Sequence, residues 1–355
     1  MADPAIILTD RAYRSTNAKV AHGLVRGGNR FQVVAVVDAD SAGQDAGVLL
    51  DGKHRGIPIV TSLSQVLHSY ATLPRYCVVG VATHGGHFTA SLRTELVEAA
   101  NAGLSIVNGL HDLASADTQI ADAAARHGAS IIDLRKLKPR RELHFWSGAI
   151  AKVRTPRIAV MGMDCAIGKR TTARLLIDAL TTSGLKAEMI YTGQTGWMQG
   201  GRYGFVLDSV INDYVSGELE HAVVTCEREV APDLMIIEGQ SSLRNPSGPC
   251  GAEFLVSAQA RGVIMQHAPA REFYEGYEHL EFRIPPIEDE LTLLHYYGAR
   301  ALAVTLNEHG MNADALARYQ QKLTCRLEIP VMRPLVEGMG ELVPVVQQFI
   351  ANETT

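Results

Sequence analysis

The residues best suited to chemistry lie in VMGMDCAIGKRTTARLL, residues 160–176. An apolar stretch ends at Gly162, a short loop follows, and Gly168-Lys169 opens a helical pattern. Glycines let backbone N–H groups turn inward around an anion, a helix start adds positive potential, and a lysine reaches over phosphate oxygens. Gly162, Asp164, Cys165, Ala166, Ile167, Gly168, Lys169, Arg170, Thr171 and Thr172 are therefore expected to hold the phosphates of a cofactor. The spacing is G-x5-G-K, one residue longer than the common phosphate loop. Arg170 follows the lysine where a magnesium-dependent nucleotidase carries Ser or Thr. A guanidinium binds no cation, so phosphate binding without a metal is the expectation; Thr171 is the displaced hydroxyl if a magnesium ion is used after all.

Other polar residues gather at the ends of apolar runs. DLMIIEGQSSLRNP (233–246) leads a strand into Glu238, Gly239 and Gln240, where a second carboxylate belongs beside a phosphate loop. YTGQTGWMQGGRYG (191–204) reads as a glycine-rich ligand loop carrying Thr192, Gln194 and Thr195. Asp208 and Asp213, just beyond it, face either the site or water. MQHAPAREF (265–273) sets His267 and Arg271 after another strand. Arg271 is expected to fork onto a substrate carboxylate, and His267 has the ordinary pKa of a general base at neutral pH. Glu238 and His267 both stand as candidates for the catalytic base.

These residues must be positioned by the elements around them. Strands are expected at 5–10, 31–38, 76–82, 104–109 and 129–135, apolar almost throughout and separated by helical stretches, as in a parallel sheet covered on both faces. KLKPRRELHFWSG (136–148) breaks that rhythm, and it resumes with strands at 157–162, 187–193, 233–239, 262–267, 301–307 and 329–335 before an amphipathic helix at 340–353. The expected fold class is α/β: two tandem doubly wound domains, Rossmann-like over 1–142 and P-loop NTPase-like over 143–355. The amino-terminal domain lacks G-x-G-x-x-G, and Asp38 at the end of its second strand is a weak sign of ribose binding without it.

Composition narrows the partners. A charge sum of −5 gives no overall electrostatic hold on nucleic acid or on an anionic membrane. The opening MADPAIILTD lacks a basic signal-peptide start, and no apolar run approaches the length of a membrane span. Five scattered cysteines without a C-x-x-C pair read as reduced thiols, so a cytoplasmic protein acting on small molecules is expected, as a homo-oligomer.

Together, GMDCAIGKRTT, YTGQTGWMQGG, IIEGQSSL, QHAPAR, NAKVAHGL, AGLSIVNGLHD and IIDLRK resemble a two-domain P-loop family, formerly a domain of unknown function, that includes the DgcN-type D-glutamate/D-aspartate N-acetyltransferases. The resemblance spans nearly the whole chain in order, with Met163 and RNPSG (244–248) as departures. It implies transfer of acetyl from acetyl-CoA, as co-substrate, to the amino group of an acidic, D-glutamate-like D-amino acid. Coenzyme A carries phosphates that the loop can hold, and thioester aminolysis needs no metal. The longer loop is also similar to that of dethiobiotin synthetase, so the alternative is an ATP-dependent ligase or kinase using Mg/ATP. A nucleotide-binding sensor without chemistry is the third reading.

Overall fold

In the computed structural model, which describes residues 2–70 and 72–353, the chain forms two units, each built on its own parallel sheet. One unit comprises the chain up to Leu137 together with Gln194–Gly200; the other comprises Lys138–Gly193 and the chain from Gly201.

The first unit's strands are β1 (Asp3–Leu8), β2 (Phe31–Val37), β3 (Ile59–Val60), β4 (Tyr76–Val79), β5 (Ser105–Asn108) and β6 (Ile131–Asp133), in the order β3-β2-β1-β4-β5-β6. Side chains alternate across a strand, so β1 sends Ile6 and Leu8 into one core and Ala5 and Ile7 into the other. Helices cover both faces, which is why the strands are apolar on both sides. Their starts are written locally: Ser62, Thr89 and Asp117 each accept a first-turn N–H at the beginning of a helix. At the end of β2, Asp38 is buried, and its Oδ2 accepts the Thr9 hydroxyl at 2.8 Å and the Tyr13 N–H at 2.9 Å. That bond ties down the turn after β1, the place a dinucleotide fingerprint would occupy.

Gln194–Gly200 packs as part of this unit. Gln194–Met198 is a short helix, not the glycine-rich ligand loop expected from its composition. Its apolar side chains explain the difference: Met198 is fully buried in the first unit's core, and Trp197 lies under the Arg30 guanidinium at 3.9 Å. The Gln199 amide donates to the carbonyls of Gly23 and Gly27 at 2.7 and 2.9 Å.

The second unit contains β7 (Arg157–Gly162), β8 (Ala187–Tyr191), β9 (Tyr203–Gly204), β10 (Leu234–Glu238), β11 (Gly262–His267), β12 (Arg300–Leu306) and β13 (Val331–Met332). Their order is β13-β12-β11-β7-β10-β8-β9. From β7 the chain runs two places to one side, fills the gap with β10, and then crosses to the other side with β11. The connections therefore reverse around β7, and a ligand crevice belongs beyond its carboxyl end. Register aligns the rim there: Glu238 lies opposite Val160 and Gln266 opposite Gly162.

A strap, residues 138–152, lies along the helix Asn212–Val230. At Gly217 a Cβ would sit 2.1 Å from the His144 carbonyl, so only glycine permits the approach. Two buried glutamates on that helix hold the strap: Glu218 accepts from Lys138 and His144, and Glu220 from Ser147 and Ile150. Asp208 and Asp213 are exposed, on the water side. Among the described residues no helix is long and apolar enough to cross a membrane.

Candidate active site at the phosphate loop

The loop 162–168 leaves β7 and enters the helix Lys169–Thr182, as its sequence predicts. Two residues in it have left-handed backbone, Ala166 at φ +53° and Gly168 at φ +105°. Residues of this kind among right-handed neighbours turn successive N–H groups toward one point, making a concave anion nest. A side chain at Gly162 would crowd the loop: a Cβ there would meet Ile167 Cδ1 at 2.8 Å and the Lys169 stem at 3.1 Å.

Lys169 is buried, and its ammonium bridges two strand ends. It donates to the Asp164 carbonyl at 2.5 Å and to the Ser241 carbonyl, beyond β10, at 2.8 Å. Asp164 is wholly buried. Its carboxylate accepts from the Cys165 N–H (2.7 Å), the Asn245 amide (3.1 Å), Arg271 Nη1 (2.8 Å) and the Glu275 N–H (2.8 Å). Arg271 is anchored in this network, with Nη1 also on the Cys165 carbonyl at 2.7 Å and Nη2 on Glu275 at 2.6 Å. Nη1 reaches a substrate carboxylate only by giving up those bonds.

Neighbouring strands support the loop from beneath. Gln266 Oε1 accepts the hydroxyls of Thr172 at 2.5 Å and Thr305 at 2.6 Å, and the Asn307 amide donates to the Ile167 carbonyl at 2.8 Å. Thr172 thus points its hydroxyl into the protein, whereas Arg170 and Thr171 are half-buried at the helix start.

Glu238 faces the loop from β10 and is only 3 % exposed. Its Oε2 accepts the Thr192 N–H at 3.2 Å, while the Thr192 hydroxyl donates to the Glu238 carbonyl at 2.5 Å and accepts from the Gln240 amide at 3.0 Å. Burial pushes the Glu238 carboxyl upward; Arg170, the Thr192 and Gly193 N–H groups and Lys169 pull the other way. The result is a carboxylate that can accept a proton inside the site. A side chain at Gly193 would crowd it, since a Cβ would lie 3.0 Å from the Gln240 amide and 3.5 Å from Glu238 Oε1.

His267 is different. Burial, with a smaller push from Arg326, lowers its pKa to about 4, and Nε2 is engaged with the Tyr319 hydroxyl at 3.0 Å. The ordinary histidine pKa read from the sequence does not hold here, and at neutral pH the ring is uncharged. Gln194 and Thr195 also depart from the expected grouping, because both pack with the first unit; Gln194 accepts from Arg135 at 3.2 Å. Thr192, Glu238 and Gln240 do come together, as do Gly162, Asp164, Gly168 and Lys169. Among the described residues, no three His, Cys, Asp or Glu side chains gather with the spacing of a metal site.

Gln266, Thr305, Asn307 and Asn245 were not anticipated as part of the site. Gln266 and Thr305 carried a usable signal: each is a buried polar residue following a run of apolar ones in its strand, which is costly unless bonded. Asn245 and Asn307 lie in loops where nothing local marks them.

Two family models match the chain: a P-loop domain of unknown function, DUF1611_C, over residues 144–343, and a Rossmann-like domain of unknown function, DUF1611_N, over residues 39–137. A protein of Tritonibacter scottomollicae named D-glutamate N-acetyltransferase is 28 % identical over 273 residues, 75 % of this chain and 79 % of that protein. One of the same name from a Pseudoalteromonas species is 27 % identical over the same shares. A crystal structure of a DUF1611 family protein from Anabaena variabilis superposes with a TM-score of 0.88 at 27 % identity, covering 98 % of this chain and 99 % of that one.

Proposed function

The chain belongs to the DUF1611 family, and from that premise we propose that it is an N-acetyltransferase moving acetyl from acetyl-CoA to the amino group of an acidic, D-glutamate-like amino acid. The observation that carries the reading is a buried carboxylate, Glu238, set beside a phosphate loop whose lysine is followed by arginine. The relatives named D-glutamate N-acetyltransferase supply the acceptor class.

In this reading the nest at Ala166–Gly168, Lys169 and Arg170 hold the phosphates of the acyl donor. Glu238 takes a proton from the acceptor's ammonium, a role its raised proton affinity suits. The neutral amine then attacks the thioester carbonyl; the C–N bond forms, the C–S bond breaks, and the leaving thiolate takes up the second proton that the nitrogen sheds. Glu238 is preferred to His267 because a ring titrating near pH 4 binds a proton too weakly at neutral pH. Thr192 and Gln240 line the same strand ends as Glu238 and are assigned to the acceptor side. Arg271 is assigned to holding the loop through Asp164 and the Cys165 carbonyl, which take both hydrogens of Nη1. All five cysteines are free thiols, which fits a reducing cytoplasm, where acetyl-CoA is at hand.

The test is an assay with isotope-labelled acetyl-CoA against a panel of D- and L-amino acids in excess EDTA. Labelled N-acetyl product, formed without ATP consumption, is expected. Turnover lost in EDTA and restored by magnesium, with nucleotide cleaved, would transfer the assignment to an ATP-dependent ligase or kinase.

A further inference from the structure

Beyond β10 the chain turns through Gly239, Gln240 and Ser241, and three observations converge on Ser241. Its φ is +35°, left-handed backbone that a residue with a side chain keeps only where its surroundings impose it. Its carbonyl accepts the Lys169 ammonium at 2.8 Å, which fixes the residue against the phosphate loop. Its hydroxyl is shut off from water and meets no hydrogen-bond partner among the described residues. A buried hydroxyl with its proton unspent is unfavourable in the free protein. The cost is understandable if a ligand atom completes the bond.

We propose that Ser241 is a further catalytic residue, whose Oγ–H donates to the thioester carbonyl oxygen of the acyl donor as that oxygen gains negative charge. The inference rests on the acetyl-transfer reading. Position favours the thioester over the phosphates: Ser241 lies three residues beyond the proposed base Glu238, on the β10 side of Lys169, whereas the anion nest lies on the β7 side. The vacant partner also argues for donor over nucleophile. A serine that attacks needs a base at hydrogen-bond distance from Oγ, and Ser241 has none. The acetyl group therefore passes directly to the amine. As the C–N bond forms, the carbonyl electron pair moves onto oxygen, where the Ser241 hydrogen bond meets it. Collapse breaks the C–S bond and expels the thiolate, and Ser241 keeps its proton throughout.

The experiment compares the full-length protein with Ser241→Ala and Ser241→Gly, the latter suited to the positive φ. Loss of one oxyanion donor lowers kcat by roughly a hundredfold, and both variants should show it while their Kd for CoA matches the parent's. Infrared spectra of bound acetyl-CoA, labelled with ¹³C at the carbonyl, give a second readout that needs no acceptor. The parent should shift the carbonyl stretch to lower frequency, and both variants should return it toward the free value. An unchanged kcat and carbonyl stretch in a folded variant would overturn the proposal while leaving acetyl transfer standing. So would weakened CoA binding with kcat preserved, which would put the hydroxyl on the phosphates, or a protein acetylated at Ser241 when no acceptor is present. A parent that binds no acetyl-CoA would overturn the acetyl-transfer reading itself, and the role of Ser241 with it.

Discussion

At the scale of single residues, the loop is held by groups that have few other duties. Lys169→Ala removes the charge assigned to the donor's phosphates and leaves the Asp164 and Ser241 carbonyls without their donor. One or two charge-assisted bonds amount to about 1.5–3 kcal/mol each, so affinity for CoA should fall at least about tenfold by titration calorimetry. An affinity equal to the parent's would dismiss the loop as the phosphate site. Arg271 tests the same loop through its support. Arg271→Ala leaves the wholly buried Asp164 carboxylate without its cation, with only N–H donors from Cys165, Asn245 and Glu275, a change that costs at most about 3–5 kcal/mol. In denaturant unfolding, Asp164→Asn added to Arg271→Ala should recover part of the loss. The KM for acetyl-CoA should rise at least as much as the KM for the amino acid. A rise confined to the amino acid would return Arg271 to the acceptor pocket.

At the scale of elements, β11 carries a pH dependence into the fold. His267 titrates near 4 in the folded protein and near its ordinary value when unfolded, so below about pH 6.5 the unfolded chain binds the extra proton. Its contribution is present above that pH and is lost as pH falls toward 4, to a limit of about 3 kcal/mol at about 1.4 kcal/mol per pKa unit. Urea unfolding at pH 7 and pH 5 should show this loss in the parent and little of it in His267→Gln; equal losses would place the acid sensitivity elsewhere. Elements were also where the sequence was most legible. β7 and β11 lie at the expected residues because Val, Ile and Met run unbroken through them between polar loops. The two-residue strands β3 and β9 escaped because so short a pairing leaves no period. In the site, the loop and Glu238 were visible from local order alone. The fate of Arg271 was not, because its partner Asp164 lies 107 positions away and only the fold brings them together. His267 failed for a similar reason, since its pKa is set by burial, which a lone histidine in a sequence does not reveal.

At the scale of the molecule, neighbours in sequence belong to different units. Thr192 is bonded to Glu238 in the second unit, and Met198, six positions on, is core of the first. Met198→Ala should cost about 2–5 kcal/mol, the usual price of emptying a buried methionine. Amide exchange should accelerate in β1, β4 and β5 while β7 and β10 keep their protection; the reverse pattern would mean that Gln194–Gly200 belongs to the second unit's stability. The borrowed segment also imposes an order on biosynthesis. Domains generally fold as the nascent chain emerges, amino-terminal first. Here the amino-terminal sheet leaves the ribosome with the place for Trp197 and Met198 still unfilled, and it is completed only after the phosphate loop has been translated. The first domain to be started can therefore be finished only after part of the second has been made.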